Sequence, residues 1–191
     1  MSAFITIDAK KLDLARIVLA EVKNAAPRAI QGTINTSLTM ARRKIYGQID
    51  QEFDLNKKST RGKEVLSIQR ARPDNLVGVL RFKGSALPLA NFGLKIPARS
   101  KNQRLLYAQI IRQNGFKSLG RSFVAKMKSG HIGVFARVGK GRYPIQQKYS
   151  VSVPQMVNRV LEYSPNLRTD IQAEVDNNLD RQLERLLKER I

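Results

Sequence analysis

FVAKMKSGHIGVFARV, residues 123–138, alternates apolar and polar residues on both sides of Ser129-Gly130. Strand side chains point to opposite faces in turn, so two such runs around a glycine turn predict an antiparallel hairpin rather than a helix. Ser129-Gly130 reads as its two-residue turn. Phe123, Ala125 and Met127 are expected on one face, matched across the hairpin by Ile132, Val134, Ala136 and Val138. Lys126, Lys128 and Arg137 then fall together on the other face. Downstream, Tyr149, Val151 and Val153 alternate with Lys148, Ser150 and Ser152 and predict another strand. Upstream, LVGVLRF (76–82) is a compact apolar run and reads as a buried strand. RLLYAQIIRQ (104–113) leans to strand, and residues 84–103 between these two read as an irregular excursion.

On either side of this region the apolar period changes to that of a helix. Leu12, Ala15, Leu19 and Val22 predict a helix over 10–24. Pro27 breaks it and suits the first turn of a second helix. In that second helix Ile30, Ile34, Leu38, Ala41, Ile45, Ile49 and Phe53 recur every three or four residues, which predicts a long amphipathic helix ending near 52. KKSTRGK (57–63) reads as a charged loop, followed by a short helix through Val65, Leu66 and Ile68. Pro154 opens a short helix with Val157, Val160 and Leu161 on one side. Ser164-Pro165 supplies a cap and a first turn for the last helix. Its stripe of Leu167, Ile171, Val175, Leu179, Leu183 and Leu186 steps almost entirely by four. Such a stripe drifts around the helix, so it packs on the sheet or on a neighbouring subunit rather than forming a heptad seam. The fold class is therefore α+β: long N-terminal helices, a small central antiparallel sheet and C-terminal helices. The expected organisation is a single domain over 1–191, with helices in 1–55, a basic sheet region in 76–153 and helices in 154–191.

Charge says more about partners than about fold. The 191 residues include 35 Lys and Arg against 15 Asp and Glu, a formal +20. Residues 75–161 hold 16 of the basic residues and no Asp or Glu, while 162–191 hold five basic and seven acidic. Self-repulsion makes such a middle segment costly unless a polyanion or an acidic protein surface lies beside it. No apolar run approaches the ~20 residues of a membrane span, so no membrane partner is expected. The opening MSAFITIDAKKLD is too polar for a signal peptide. Cysteine is absent, which excludes disulfides and thiolate metal sites and fits a reducing cytosol.

Enzyme chemistry finds little to use. Asp50, Glu52 and Asp54 form the one dense carboxylate set, but residues two apart do not share a helix face. The set reads as a solvated acidic helix end, with no metal and no cofactor, and its conversion to amides is expected to leave function intact. His131 is the sole histidine, beside the hairpin turn and far in sequence from any carboxylate. Gly139-Lys140-Gly141 lacks the spacing and the Ser or Thr of a phosphate-binding loop, and its context is strand to strand. Nucleic-acid binding is the serious alternative. Lys95, Arg99, Lys101, Arg104, Lys126, Lys128, Arg137, Lys140 and Arg142 are candidate contacts to phosphates or to an acidic partner. No recognition helix or zinc site is present in the pattern, and most aromatics sit where core residues belong, so any such contact is expected to ignore sequence.

Gly141-Arg142-Tyr143-Pro144-Ile145, then an alternating strand, then Val153-Pro154 at a helix start, resembles the minor tail protein Z family of tailed bacteriophages and prophages. AIQGTINTSLTMARRKI (29–45) is similar to the Ala- and Asn-containing helix of that family. The dispersed charge departs from the dense basic tract associated with it. The Arg-Tyr-Pro-Ile corner reads as structural, with Pro144 setting chain direction, Tyr143 packed beneath it and Arg142 outward. The resemblance implies a virion protein, made in the bacterial cytoplasm, that completes the head-proximal end of the tail. It implies partners among tail and neck proteins (terminator, tail tube, head–tail connector) and genome DNA in the channel. Tail tubes are sixfold, so a ring of about six copies is expected. The alternative is a sequence-nonspecific nucleic-acid-binding protein.

Overall fold

The computed structural model describes residues 2–8, 25–56, 65–96 and 106–188. Helix α1, Ala25–Glu52, is the organising element. Ile30, Ile34, Leu38, Ala41, Ile45, Ile49 and Phe53, the predicted stripe, are all buried. Each large apolar side chain removed from water contributes about 1.5–3 kcal/mol. The predicted helix over 10–24 and loop over 57–63 lie outside the described residues.

The stripe of α1 covers a three-stranded antiparallel sheet of order β1-β3-β2, made by β1 (Ser2–Asp8), β2 (Leu66–Gln69) and β3 (Val77–Lys83). Leu80 and Phe82 of β3 are buried, and the Tyr46 ring meets Phe82 edge-on at 6.0 Å. Gly78 allows the close approach. A β-carbon there would lie 2.7 Å from Ile34 Cγ2 and from Leu38 Cδ1. The N-terminal strand β1 pairs along the whole of β3, from Ser2↔Lys83 to Asp8↔Val77, where only helix was expected before residue 55. The short helix expected through Val65, Leu66 and Ile68 is strand β2. Half-buried Leu66 and Ile68 alternate there with exposed Ser67 and Gln69, a period of two that so short a run does not announce.

After α1 the chain turns extended. Phe53 bridges to Ile111 and Leu55 to Phe92, joining α1 to a small sheet of β5 (Gly93–Lys95), β6 (Tyr107–Gln109) and β7 (Lys117–Ser118). The predicted hairpin is β8 (Ser122–Lys126) and β9 (Ile132–Arg137), with β10 (Ile145–Gln147) on the far side of β9. Its turn differs from expectation. Met127 N–H donates to His131 O at 2.7 Å and Gly130 N–H to Met127 O at 2.9 Å, so the loop is Lys128-Ser129-Gly130. A two-residue type I′ turn would need positive φ at Ser129 as well. Only Gly130 has it, at 84°, which suits the third position of a three-residue loop.

Lys148 is the corner between two sheets. Its N–H donates to Val134 O of β9 at 2.8 Å, and its carbonyl accepts from Leu89 N at 3.0 Å. The chain then runs as β11 (Tyr149–Ser152) against β4 (Ala86–Pro88). Val153 does not continue the strand, because Ser152 caps helix α2, Val153–Tyr163. Gln155 N–H donates to Ser152 Oγ at 3.4 Å, and Ser152 N–H to Gln155 Oε1 at 2.7 Å, a reciprocal capping box. Val153, Pro154, Met156, Val157 and Val160 are buried, against α1 and β3 among others. Helix α3, Pro165–Lys188, follows Ser164 directly.

The destination of α3, left open between sheet and neighbouring subunit, is α1. Lys44 Nζ lies 3.6 Å from Glu174 Oε1 and donates to Asp170 O at 3.2 Å, while Asn178 Nδ2 reaches Met40 Sδ at 3.1 Å. The pairs run in opposite directions along the two helices, so they are antiparallel. Helices at both sides of several small antiparallel sheets make an α+β fold, with the strands spread over several sheets rather than one.

Candidate functional site

The sequence motif at 141–154 is split by the fold into an exposed tip and a buried root. Val153 and Pro154 are buried at the start of α2, and Ile145 opens β10, opposite Arg137. Gly141, Arg142, Tyr143 and Pro144 stand in the β9–β10 loop, closed by Val138 N–H donating to Pro144 O at 3.1 Å. The Tyr143-Pro144 peptide is cis. Tyr143 does not pack beneath the proline. It is 70% exposed, with the Arg142 guanidinium 6.0 Å from its ring centre. The loop is short, and among the described residues no other element packs over this ring to bury it. Val138, at the loop's other end, is 65% exposed.

The cations do not share one sheet face. Ladder register places Phe123 opposite Phe135 and Ala125 opposite Gly133, whereas Lys126 is opposite Ile132 and Val124 opposite Val134. Directly paired residues share a face, so Ile132, Val134 and Ala136 lie with Val124 and Lys126, not with Phe123 and Ala125. Arg137 belongs to the Phe123 face, where its guanidinium lies 5.2 Å from the Phe123 ring centre. The expected grouping of Lys126, Lys128 and Arg137 is thereby undone. The expectation rested on a register displaced by one residue, and such a displacement exchanges faces.

The cations sort by strand end instead. Lys126 ends β8 and Lys128 opens the β8–β9 loop. Arg121, Arg137, Lys140 and Arg142 gather at the opposite end of β9, about 17 Å away by strand rise. All six are exposed, and none is ion-paired among the described residues. Lys95 ends β5, 6.0 Å from the centre of the exposed Phe116 ring. Arg99, Lys101 and Arg104 lie outside the described residues. On the Phe123 face a ring contact runs from Phe123 to Phe135 at 6.3 Å and on to His131 at 6.5 Å. Gly133 makes room for it, since a β-carbon would meet the Phe135 ring at 3.0 Å. His131 Nε2 lies 3.0 Å from Gln147 Nε2, and Tyr149 Oη donates to Gln147 Oε1 at 3.3 Å. This is a polar tie between strands, with no carboxylate in it.

The acidic helix end is not solvated as expected. Glu52, its side chain 12% exposed, pairs with Arg159 of α2, whose guanidinium also lies 4.8 Å from the Tyr163 ring centre. Asp54 Oδ1 lies 3.1 Å from Arg112, which also donates to Asp50 O at 3.4 Å. The Glu52 and Asp54 carboxylates and the Asp50 carbonyl anchor the end of α1. Among the described residues no three His, Asp or Glu side chains are grouped to hold a metal ion, and no helix is long and apolar enough to cross a membrane.

Sequence reasoning passed over Asn35. Its Oδ1 accepts from Ala71 N–H at 2.9 Å and its Nδ2 donates to Ala71 O at 3.3 Å, pinning the β2–β3 connection to α1. An Asn inside a strong apolar period is the signal that pointed to it. The exposure of Tyr143, Tyr149, Tyr163 and Phe116 was also missed, because composition does not say which aromatics the core takes.

Comparison with known proteins gives one family. The model of the prophage minor tail protein Z (GPZ) family matches residues 9–191. No curated protein and no solved structure matches the chain.

Proposed function

The chain belongs to the prophage minor tail protein Z family, and on that premise we propose that it completes the head-proximal end of a phage tail so that the tail can join a head. Membership makes it a structural component of the virion tail. The family match across 9–191 is the observation that carries the reading. The geometry supports assembly rather than turnover. The carboxylates of Glu52 and Asp54 are engaged with Arg159 and Arg112, while exposed cations and tyrosines are presented to neighbours. In this reading the chain forms a ring of about six, matching the symmetry of a tail tube, and meets the terminator, tube and connector subunits. Lys126 and Lys128 at one end of β9, and Arg137, Lys140 and Arg142 at the other, face DNA in the channel or acidic surfaces of those subunits.

The experiment is to delete the protein from its phage and image the lysate by electron microscopy. Full-length tails lying apart from filled heads are expected. Normally joined particles would overturn the reading. A second reading, sequence-nonspecific binding of nucleic acid, rests on the exposed cations that have no ion pair among the described residues. It predicts recovery on cellular nucleic acid rather than in particles, with affinity that falls steeply as salt rises.

A further inference from the structure

We infer that the β9–β10 loop of one copy docks on the outward face of helix α3 of the next copy. This rests on the ring reading above and names its interface.

The loop end combines two properties that water alone does not favour together. Arg121, Arg137, Lys140 and Arg142 crowd one end of the sheet without an ion pair among the described residues. Between them Val138 and Tyr143 are 65% and 70% exposed. Phosphates would satisfy the cations but leave Val138 with nothing to cover it. An acidic protein surface with small residues satisfies both.

The chain carries such a surface. Leu167, Ile171 and Asn178 turn one side of α3 onto α1, so the opposite side faces out. At 3.6 residues per turn that outward side collects Asp170, Asp176, Asp180 and Glu184 around the exposed Ala173 and Asn177. Asp176, Asp180 and Glu184 stand four residues apart, a spacing at which like charges destabilise a lone helix. Asp180 and Glu184 have no ion pair among the described residues, whereas Glu174, toward α1, is taken by Lys44. Ala173 and Asn177 leave room for the Tyr143 ring, with carboxylates on both sides for Arg142 and Lys140. Loop and helix are different surfaces of one chain, so the contact is heterologous and generates a ring when its rotation closes. Exposed ion pairs are individually weak, so this contact sets the register of the ring rather than holding it alone.

The test places a photo-crosslinking amino acid at position 143 in the full chain and irradiates purified particles. Mass spectrometry is expected to find a crosslink to residues 169–185 of a second copy. Arg142→Glu should lower its yield by roughly fivefold, and adding Asp180→Arg in the same chain should recover most of it. Crosslinks to another tail protein or to DNA, or none at all, would overturn the interface. A parallel lysine-reactive crosslink separates this from the ring itself. If it joins copies while position 143 never reaches α3, the ring stands and this interface falls. If copies are never adjacent, both fall.

Discussion

Replacing Asn35 by Ala removes both hydrogen bonds that hold the β2–β3 connection to α1. Ala71 is 1% exposed, so its N–H has no water to turn to once the 2.9 Å acceptor is gone. A buried donor left unsatisfied costs about 1–3 kcal/mol, and the second bond, longer at 3.3 Å, adds about 0.5 kcal/mol. Alanine is the better helix former by about 0.5 kcal/mol, which offsets part of the loss. The net is about 2 kcal/mol. For a chain of this size that lowers Tm by about 4–8 °C. In urea it lowers the midpoint by about 1 M at unchanged slope. Thr36→Ala, on the exposed neighbour, serves as control and should stay within about 0.5 kcal/mol of the parent. An Asn35→Ala chain as stable as that control would refute the claim that this side chain ties loop to helix.

Other substitutions probe other joints of the same core. Gly78→Ala drives a methyl into Ile34 and Leu38 and should cost about 1–3 kcal/mol by urea denaturation, because α1 must lift from β3. Ser37 is buried and its hydroxyl has no hydrogen-bond partner among the described residues, so Ser37→Ala should be neutral or stabilising by up to about 1 kcal/mol in the same assay. Glu52→Gln should destabilise by roughly 1–3 kcal/mol, discounted for the partial exposure of Arg159, and a double-mutant cycle with Arg159→Leu should show coupling of about 1 kcal/mol or more. This is a loss of stability, and it is separate from the expectation that amide substitution of this set leaves function intact.

Helix α1 was legible because seven apolar residues at three- and four-residue spacing leave no other reading, and the start of α2 was legible from Pro154, whereas the Ser152 cap that ends the strand one residue early was not. Strand β3 announced itself as an apolar run between turn residues. Short elements were less readable. Strand β2 has four residues, too few for its period to separate strand from helix. Strand β1 gains its place through seven pairings with β3, a partner some 75 residues away that no local pattern reveals. The basic surface was legible in amount but not in position. Which cations stand together depends on β8–β9 register, and that register follows from a three-residue loop rather than a two-residue one. Family kinship was carried by 139–154, whose exposed half is where the loop meets solvent and whose buried half anchors α2.

Quantitative mass spectrometry of purified particles tests the central claim most directly, through the copy number of this chain relative to the major tail-tube subunit. A fixed small number, near about six per particle, is the predicted result for a ring matched to the tail. Absence of the chain from particles, with the protein recovered on cellular nucleic acid, would contradict the account.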